Sequence, residues 1–232
     1  MIFVLWTFWF GSDIKKSVTH GPREQQLKRL NNVDILHRHI TINNLKSVNI
    51  SSSPIHPQIS LPYMSGIHKG DYMRSYVMYH YGGAYADIKP NTLLKWKPFF
   101  KDFLDNKWIY GAREGNADGV ACRPEKLKRL NISVSCDWMK KNYKRILTNC
   151  AYIFKSHTKF AKDWLNENNK RLDELSKILQ QHPSPISGRC CLPQQNLKEY
   201  PLNWAELHGD IFHPLNIKYE SKIQISKIGF HY

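Results

Sequence analysis

The sequence predicts an α/β domain in which helices flank a mixed central sheet, and two features lead to that prediction. An apolar run over residues 1–10 is followed by a helical pattern over 23–30 and a strand pattern over 34–42. A helical pattern over 68–81 then runs into a short strand pattern over 84–88. Alternation of strands and helices along a chain is typical of α/β folds.

A single domain of this class is expected over residues 1–232, as a whole protein or as one part of a longer polypeptide. The chain is 41% hydrophobic and 12% aromatic, and it shows no internal repeat and no low-complexity block. A chain of this length and composition buries well over half of the surface that it exposes when unfolded. That excludes a disordered, collagen-like or disulfide-stapled small protein.

The apolar run at the N-terminus is predicted to be the first strand, and to be buried. It is only half as long as the ~20 apolar residues that span a bilayer, and it has neither a basic start nor a small-residue cleavage site. We therefore expect no transmembrane segment, no signal peptide and a cytoplasmic protein. Strand alternation places Trp6, Phe8 and Phe10 on one face of this strand and Trp9 on the other.

The first helix and the second strand follow from the pattern between residues 23 and 42. Leu27 and Leu30 lie on one face of the helix predicted over 23–30, and the strand predicted over 34–42 comes soon after it. A strand, a helix and a strand in this order open a Rossmann-like, nucleotide-binding arrangement. In such folds the ligands lie at the carboxyl ends of parallel strands.

The helix over 68–81 is predicted from the spacing of its apolar and aromatic residues, and the pair Gly82–Gly83 is predicted to end it. The strand over 84–88 then places Asp87 close to its end. A strand end that is supported by a packed helix is a rigid position for a carboxylate.

The second half of the chain predicts further strands and helices. The clearest pattern is a helix over 158–181, in which apolar residues recur on one face. The other predicted elements are an amphipathic segment over 96–103, strands over 108–112 and 151–154, a loop over 183–201, and a strand-like tail with Ile223, Ile225 and Ile228.

The charge balance indicates an anionic partner. Lys and Arg number 34 against 19 Asp and Glu, which gives a net charge of +15. Nucleic acid, anionic lipid and a phosphorylated small molecule all satisfy this charge. The basic residues are scattered and show no helix-turn-helix, RRM or zinc-finger pattern, so a nucleic-acid partner is not expected.

The cysteines are expected to be reduced thiols, because their number is odd and their spacing fits neither a disulfide framework nor a zinc site. No CxxC pair occurs among Cys122, Cys136, Cys150, Cys190 and Cys191.

The sharpest pattern in the chain joins three polar residues. Residues 68–74 read H-K-G-D-Y-M-R and residues 79–89 read Y-H-Y-G-G-A-Y-A-D-I-K, which places Asp71 three residues before Arg74 and sixteen before Asp87. This pattern resembles that of the DXD-type sugar transferases of GT-A fold, which have the glucosylating clostridial toxins as distant relatives. It is most similar to small glycosyltransferases of large algal (chlorella) viruses.

The resemblance implies a GT-A domain that moves a sugar from a nucleotide-sugar donor, preferably a UDP-sugar, to a glycan or glycoprotein acceptor. For a viral protein, it implies capsid-protein glycosylation in the host cytoplasm. It implies catalytic roles for Asp71, Arg74 and Asp87, which would hold donor hydroxyls. The further donor-binding residues that it implies are Thr7, Phe8, Trp9, Tyr85, Lys89 and Gly209.

Elementary chemistry is consistent with these roles and leaves an alternative for each. Asp71 and Arg74 lie one helical turn apart, so they project from the same face and either grip a ligand or form a surface ion pair. The presence of Asp87 at the matching distance favours the ligand.

Residues 8–11 resemble the I-W-x-G strand end that passes the nucleotide base in these enzymes, where an aromatic ring stacks on the base. The alternative is that Trp9 belongs to the core.

Lys89 departs from the DXD pattern, because it stands at the second acidic position. The resemblance implies a Mn²⁺ or Mg²⁺ ion with Asp87 and the distant His208 as ligands. Residues 208–214 are loosely similar to the H-x-x-G-x-x-K-P-W loop of retaining GT-A enzymes. Alternatively, the Lys89 ammonium neutralises part of the diphosphate charge. We expect the metal, because one lysine offsets less charge than a divalent ion.

Two further questions have alternative answers: whether transfer retains or inverts the anomeric configuration, and whether the domain is catalytically active. The resemblance implies retention at the anomeric carbon, whereas inversion needs a carboxylate base, for which Glu206, Asp210 and Asp137 are candidates. Since Lys89 replaces an acidic residue, a catalytically inactive nucleotide-sugar-binding domain is the main alternative function. A basic nucleic-acid-binding module is the lesser one.

Overall fold

A computed structural model describes residues 3–11, 23–184 and 199–226 of the chain. Within these residues, six strands form one mixed sheet in the order β2-β1-β3-β5-β4-β6. Helices flank this sheet, which confirms the predicted α/β class. The strands are β1 (Val4–Phe8), β2 (Leu36–Ile40), β3 (Gly83–Ala86), β4 (Ile109–Arg113), β5 (Leu147–Phe154) and β6 (Ile223–Ile225).

The helices of the described residues include two long ones that pack against each other, α2 and α6. None of these helices is both long and apolar enough to cross a membrane. Their bounds are α1 (Arg23–Leu30), α2 (Gly66–His80), α3 (Lys97–Asp102), α4 (Pro124–Arg129), α5 (Cys136–Lys141), α6 (Lys159–Gln181) and α7 (Gly209–Lys218).

The helices predicted over 23–30, 68–81 and 158–181 are confirmed as α1, α2 and α6, with ends that differ by at most two residues. The predicted segments before residue 113 correspond to β1–β4 and α3, and the strand predicted over 151–154 is the second half of β5. The strand-like tail is confirmed at Ile223–Ile225. Ile228 and most of the loop predicted over 183–201 lie outside the described residues.

Among the helices of the described ranges, α4, α5 and α7 were not predicted. The last of these corrects the expectation that residues 208–214 form a loop, because Gly209–Lys218 is helical with Pro214 inside the helix. Phe212 and Leu215 of α7 are fully buried. Burial of this apolar face outweighs the backbone hydrogen bond that a proline removes.

The carboxyl ends of five strands meet at one edge of the sheet. β1 is parallel to β2 and to β3, β3 and β4 are both antiparallel to β5, and β6 is parallel to β4, so β1–β4 and β6 run in the same direction. The residues that directly follow these strands, including Trp9, Asp87 and Glu114, therefore lie along the same edge. Ligands of α/β sheets bind at such an edge.

The two faces of the sheet carry separate apolar clusters. Trp6, Phe8 and Phe10 pack with the larger cluster, which includes residues of α2, α6 and α7. Leu5 belongs to the smaller cluster, which includes residues of α1 and α3. The predicted common face of Trp6, Phe8 and Phe10 is confirmed.

A pair of glycines joins α2 to β3. Gly82 and Gly83 have φ angles of 64° and 94°, in the left-handed region that favours glycine. A Cβ atom on Gly83 would lie 2.6 Å from Cγ1 of Val4 and 2.9 Å from its carbonyl oxygen. The glycine therefore lets β3 approach β1 closely while ending α2.

Cys122 and Cys136 form a disulfide with a Cα–Cα distance of 5.5 Å, which contradicts the expectation that the cysteines are reduced thiols. The two cysteines are 14 residues apart, and α4 lies between them while Cys136 begins α5. The intervening fold brings together two cysteines whose spacing matches no known motif. Cys150 is a free thiol, and Cys190 and Cys191 lie outside the described residues.

Candidate functional site

Asp87 lies directly after β3, and its carboxylate is held by three side chains. Its backbone N–H donates to the Cys150 carbonyl at 2.9 Å. The Tyr85 hydroxyl donates to Oδ1 at 2.6 Å, and Nη2 of Arg74 donates to the same oxygen at 3.2 Å. Nζ of Lys89 lies 3.2 Å from Oδ2. Burial alone would raise the pKa of Asp87, but the Arg74 and Lys89 cations hold this pKa below its usual value.

Arg74, on α2, connects the side chains of the site. Besides Asp87, its Nη1 donates to the Asn149 carbonyl and to Nδ1 of His208, both at 3.0 Å. The guanidinium carbon lies 4.3 Å from the centroid of the Tyr85 ring, a cation–π contact. A guanidinium that is fixed on several sides presents its charge in one orientation.

Asp71 stands one turn before Arg74 on α2 and is 4% exposed. Its Oδ1 lies 3.6 Å from Nε of Arg74 and 3.5 Å from Nδ1 of His208. Burial raises the pKa of Asp71 to about 7, against the opposing effect of Arg74. The ion pair of Asp71 and Arg74 is therefore buried at the site, and the surface ion pair considered as an alternative is excluded.

Lys89 occupies the position next to Asp87 that an acidic residue takes in the DXD pattern. Its Nζ also lies 3.5 Å from Sγ of Cys150. Burial by itself would lower the pKa of Lys89, but the neighbouring Asp87 carboxylate outweighs this effect and raises the pKa above its usual value. The amine therefore stays charged. Burial raises the pKa of the Cys150 thiol to about 11, so this cysteine is neutral beside the lysine.

His208 is buried at the start of α7. Its ring stacks on Trp164 with a centroid distance of 5.3 Å and an interplanar angle of 11°. Burial and the charge of Arg74 hold the pKa of His208 well below its usual value, so the ring is neutral. Because Nδ1 accepts from Arg74, the ring proton lies on Nε2.

The implied Mn²⁺ or Mg²⁺ ion does not fit the side chains of the site. Arg74 bonds both to Oδ1 of Asp87 and to Nδ1 of His208, so a cation already bridges the two implied ligands. The other Asp87 oxygen faces Lys89. No group of three or more His, Cys, Asp or Glu residues within the described ranges is arranged to hold a metal ion.

The three residues at the end of β1 have different surroundings. Thr7 is fully buried on the face opposite Phe8, and its hydroxyl lies 3.0 Å from Nε2 of His37 and 2.9 Å from Nδ1 of His39. Phe8 stacks on Tyr85 at 5.6 Å. Trp9 follows the strand and is only half-buried at the edge that carries Asp87. Of the three, Trp9 is the one that lies beyond the last residue of the strand.

Gly209 has a packing role. A Cβ atom there would lie 2.7 Å from the Cβ of Ala121 and 3.4 Å from that of Ala205. The glycine lets the first turn of α7 approach the segment after β4, which fixes the adjacent His208.

The candidate bases for an inverting mechanism are not placed as free carboxylates of the site. Glu206 and Asp210 are both 2% exposed, and both accept hydrogen bonds from Arg123. Lys126 and Arg171 also bind Glu206. Asp137 is exposed in the first turn of α5.

Two titratable residues near the site were not predicted, Glu114 and His213. Glu114 follows β4 at the edge that carries Asp87, and the Lys89 charge acts on its pKa. His213 stands in the segment that is loosely similar to the H-x-x-G-x-x-K-P-W loop, whereas Glu114 belongs to no motif and comes two residues after the strand predicted over 108–112.

Most residues of the predicted site are brought together by the fold. The side chains that form it are those of Asp71, Arg74, Tyr85, Asp87, Lys89 and His208. No protein-family model matches the sequence, and a search of curated proteins finds no significant similarity. The chemistry of these side chains is therefore the basis on which a function is argued.

Proposed function

We propose that this protein is a nucleotide-sugar-dependent hexosyltransferase of the GT-A type, with a UDP-sugar as donor and a glycan or glycoprotein as acceptor. The observation that carries the proposal is the convergence of Asp71, Arg74 and Asp87, from a helix and a strand end, at the carboxyl edge of the sheet. Such an edge, with fixed cations and carboxylates, suits a ligand that carries both a diphosphate and hydroxyl groups.

The side chains divide the work of holding such a donor. The Asp71 and Asp87 carboxylates offer acceptors for sugar hydroxyls, and Arg74 fixes both carboxylates. Lys89 and Arg74 supply positive charge for the diphosphate. The half-buried Trp9 at the end of β1 offers its ring to the nucleotide base.

Transfer breaks the bond between the anomeric carbon and the diphosphate oxygen, and the electron pair stays on the diphosphate. Lys89 stabilises the negative charge that develops there, and this electrostatic term lowers the barrier. In the retaining reaction, the acceptor hydroxyl attacks from the face that the diphosphate leaves, and its proton passes to a diphosphate oxygen. Glu206 and Asp210 both form ion pairs with Arg123, which agrees with a reaction that uses neither carboxylate as a base.

One observation favours a second candidate, a nucleotide-sugar-binding domain without activity. The ion pair of Lys89 with Asp87 ties up the carboxylate that the reaction needs. Turnover of the donor separates the two candidates, because the inactive domain binds a nucleotide sugar without releasing the nucleotide.

The test measures binding and turnover of UDP-glucose and GDP-mannose by calorimetry and by release of the free nucleotide. We expect binding and slow hydrolysis of one donor by the wild type. Asp87→Asn should lower turnover by about 10²-fold or more, because donor orientation is lost. Asp105→Asn, which changes a fully exposed aspartate after α3, is the matched control. No binding of either nucleotide sugar at millimolar concentration contradicts the proposal.

A further inference from the structure

Glu114 is a second carboxylate at the edge that carries Asp87, and only one of its oxygens has a hydrogen bond from the backbone. Its Oε1 accepts from the Gly115 N–H at 3.0 Å. Its side chain is 13% exposed. The turn over 117–119 lies against this carboxyl group, since a Cβ atom on Gly119 would lie 2.5 Å from Oε1. The second oxygen, Oε2, is directed to a buried histidine.

That histidine is His213 of α7, and its ring proton is placed by the backbone. The Ala121 N–H donates to Nδ1 of His213 at 2.9 Å, so the proton of the neutral ring lies on Nε2. The side chain is fully buried, and burial lowers the pKa of His213 to about 4. Nε2 has no hydrogen-bond partner within the described residues, and it lies 3.7 Å from Oε2 of Glu114.

A separation of 3.7 Å is too long for a direct hydrogen bond. A buried N–H without a partner loses the hydrogen bond that it makes to water in the unfolded chain, so such a group is usually satisfied by a ligand or by water. The pair presents one donor, Nε2–H, beside one acceptor, Oε2. A hydroxyl group, which both donates and accepts, satisfies both atoms at once.

The fold places this pair beside the proposed donor site. Glu114 directly follows β4 at the edge that carries Asp87, and His213 lies on α7, whose N-cap is His208. The Lys89 cation also opposes the rise that burial causes in the pKa of Glu114. The pair of Glu114 and His213 therefore lies on the β4 side of the Asp87 cluster.

We propose that Glu114 and His213 form the subsite for the acceptor, a carbohydrate with adjacent hydroxyl groups. Glu114 accepts a hydrogen bond from one acceptor hydroxyl, and Nε2–H of His213 donates to an oxygen of the same or the neighbouring hydroxyl. This inference rests on the proposed transferase function, and it adds the residues that hold the second substrate. Glu114 needs no proton-transfer role here, so the inference agrees with retention.

The experiment measures transfer from the donor that the wild type binds to a panel of methyl α- and β-glycosides of glucose, galactose, mannose, xylose, fucose and rhamnose. We expect saturable transfer to at least one glycoside. Glu114→Gln should raise the KM for that glycoside at least tenfold more than it raises the KM for the donor, because a charge-assisted hydrogen bond is lost. Glu125→Gln, which changes an exposed glutamate of α4, is the matched control and should leave both KM values unchanged.

Three further variants keep the test independent of folding. Gly119→Ala adds a methyl group that displaces the Glu114 carboxyl while every functional group remains, and it should also raise the acceptor KM. His213→Gln keeps an N–H donor at a similar distance from the backbone and should have a smaller effect than His213→Leu. Thermal unfolding of each variant is measured alongside.

The outcomes are distinguishable from failure of the proposed function. If the wild type binds no nucleotide sugar, the transferase function itself is wrong. If the wild type turns over its donor but transfers to no glycoside of the panel, the carbohydrate subsite is wrong. Equal changes of donor and acceptor KM in Glu114→Gln assign Glu114 to the donor site, and unchanged values remove it from both; either result overturns the subsite.

Discussion

Nζ of Lys89 lies 3.2 Å from Oδ2 of Asp87. The lysine thus pairs with the carboxylate that a metal ion would bind in the pattern that the sequence resembles. The other oxygen, Oδ1, receives hydrogen bonds from Arg74 and Tyr85. With both oxygens occupied by donors of the chain, Asp87 stays ionised and fixed, and positive charge is already present beside the proposed diphosphate position.

Lys89 should take the charge-neutralising role that a divalent ion was expected to have. We expect wild-type turnover to survive EDTA. Turnover of Lys89→Ala should be about 10²-fold lower with or without Mn²⁺, because within the described residues no other amine is paired with Oδ2 of Asp87. The measurement is nucleotide release by both proteins in Mn²⁺ and in EDTA. Lys95→Ala serves as the control, since it removes an exposed lysine shortly before α3.

Loss of wild-type turnover in EDTA, with recovery on addition of Mn²⁺, would contradict this prediction. Such a result would support the metal ion expected from the sequence. The ion pair between Asp87 and Lys89 would then have to break so that Asp87 could bind the ion. Isothermal titration of UDP with and without Mn²⁺ gives a second readout that does not depend on catalysis.

Asp71 should make stability depend on pH in a direction that is unusual for a carboxylate. Burial raises its pKa from 3.8 to about 7 in the folded protein, so between these values the folded state binds more protons than the unfolded state. The stabilising contribution of the protonated form is present below about pH 4 and is lost as the pH rises to about 7. The free energy of unfolding should therefore fall over this interval relative to that of Asp71→Asn.

The measurement is urea unfolding of the wild type and Asp71→Asn at several pH values between 4 and 8. Subtraction of the two curves removes the contributions of the other carboxylates. A difference that does not change with pH would show that Asp71 has an ordinary pKa in the folded protein.

The local part of the site could be predicted from the sequence, because it depends on short-range geometry. Asp71 and Arg74 share a helix face, and Gly82–Gly83 and the strand that follows place Asp87 at the sheet edge. The contact of Arg74 with His208 joins residues 134 positions apart, and only a weak resemblance of the residues around His208 indicated it.

Other features depend on tertiary packing that no local pattern records. His213 accepts a hydrogen bond from Ala121, which lies 92 positions earlier, and the helix that carries His213 was not predicted. The pairing of His213 with Glu114 therefore could not be predicted from the sequence. The bond between Cys122 and Cys136 depends on the fold of the segment between β4 and β5. The resemblance implied donor contact for Thr7, and no sequence pattern indicated that its hydroxyl lies beside His37 and His39 of the neighbouring strand.

The disulfide should stabilise the segment between β4 and β5, and through it the residues around His208. Closing a loop of 14 residues contributes about 3 kcal/mol in the chain-entropy model. We expect Cys122→Ser and the double variant with Cys136→Ser to unfold at a lower temperature. Dithiothreitol should lower the unfolding temperature of the wild type but not that of the double variant.

Peptide mapping by mass spectrometry without reduction should recover Cys122 and Cys136 in one linked peptide. Free thiols at both positions in protein that was purified under air would contradict the bond. An equal response of the wild type and the double variant to dithiothreitol would show that another cysteine accounts for the effect.

Gly83→Ala should destabilise the fold by about 1–3 kcal/mol, because the added methyl group acts in two ways. It forces an L-residue to hold a φ angle of 94°, and it lies 2.6 Å from Cγ1 and 2.9 Å from the carbonyl oxygen of Val4 in the adjacent strand. Gly115→Ala is the matched control, since a Cβ atom there has nothing within 4 Å. The free energy of unfolding of both variants is measured in urea. Since Asp87 directly follows β3, a shift of this strand should also lower donor turnover. Equal stability of the two variants would show that β1 and β3 are not held as closely as the structure has them.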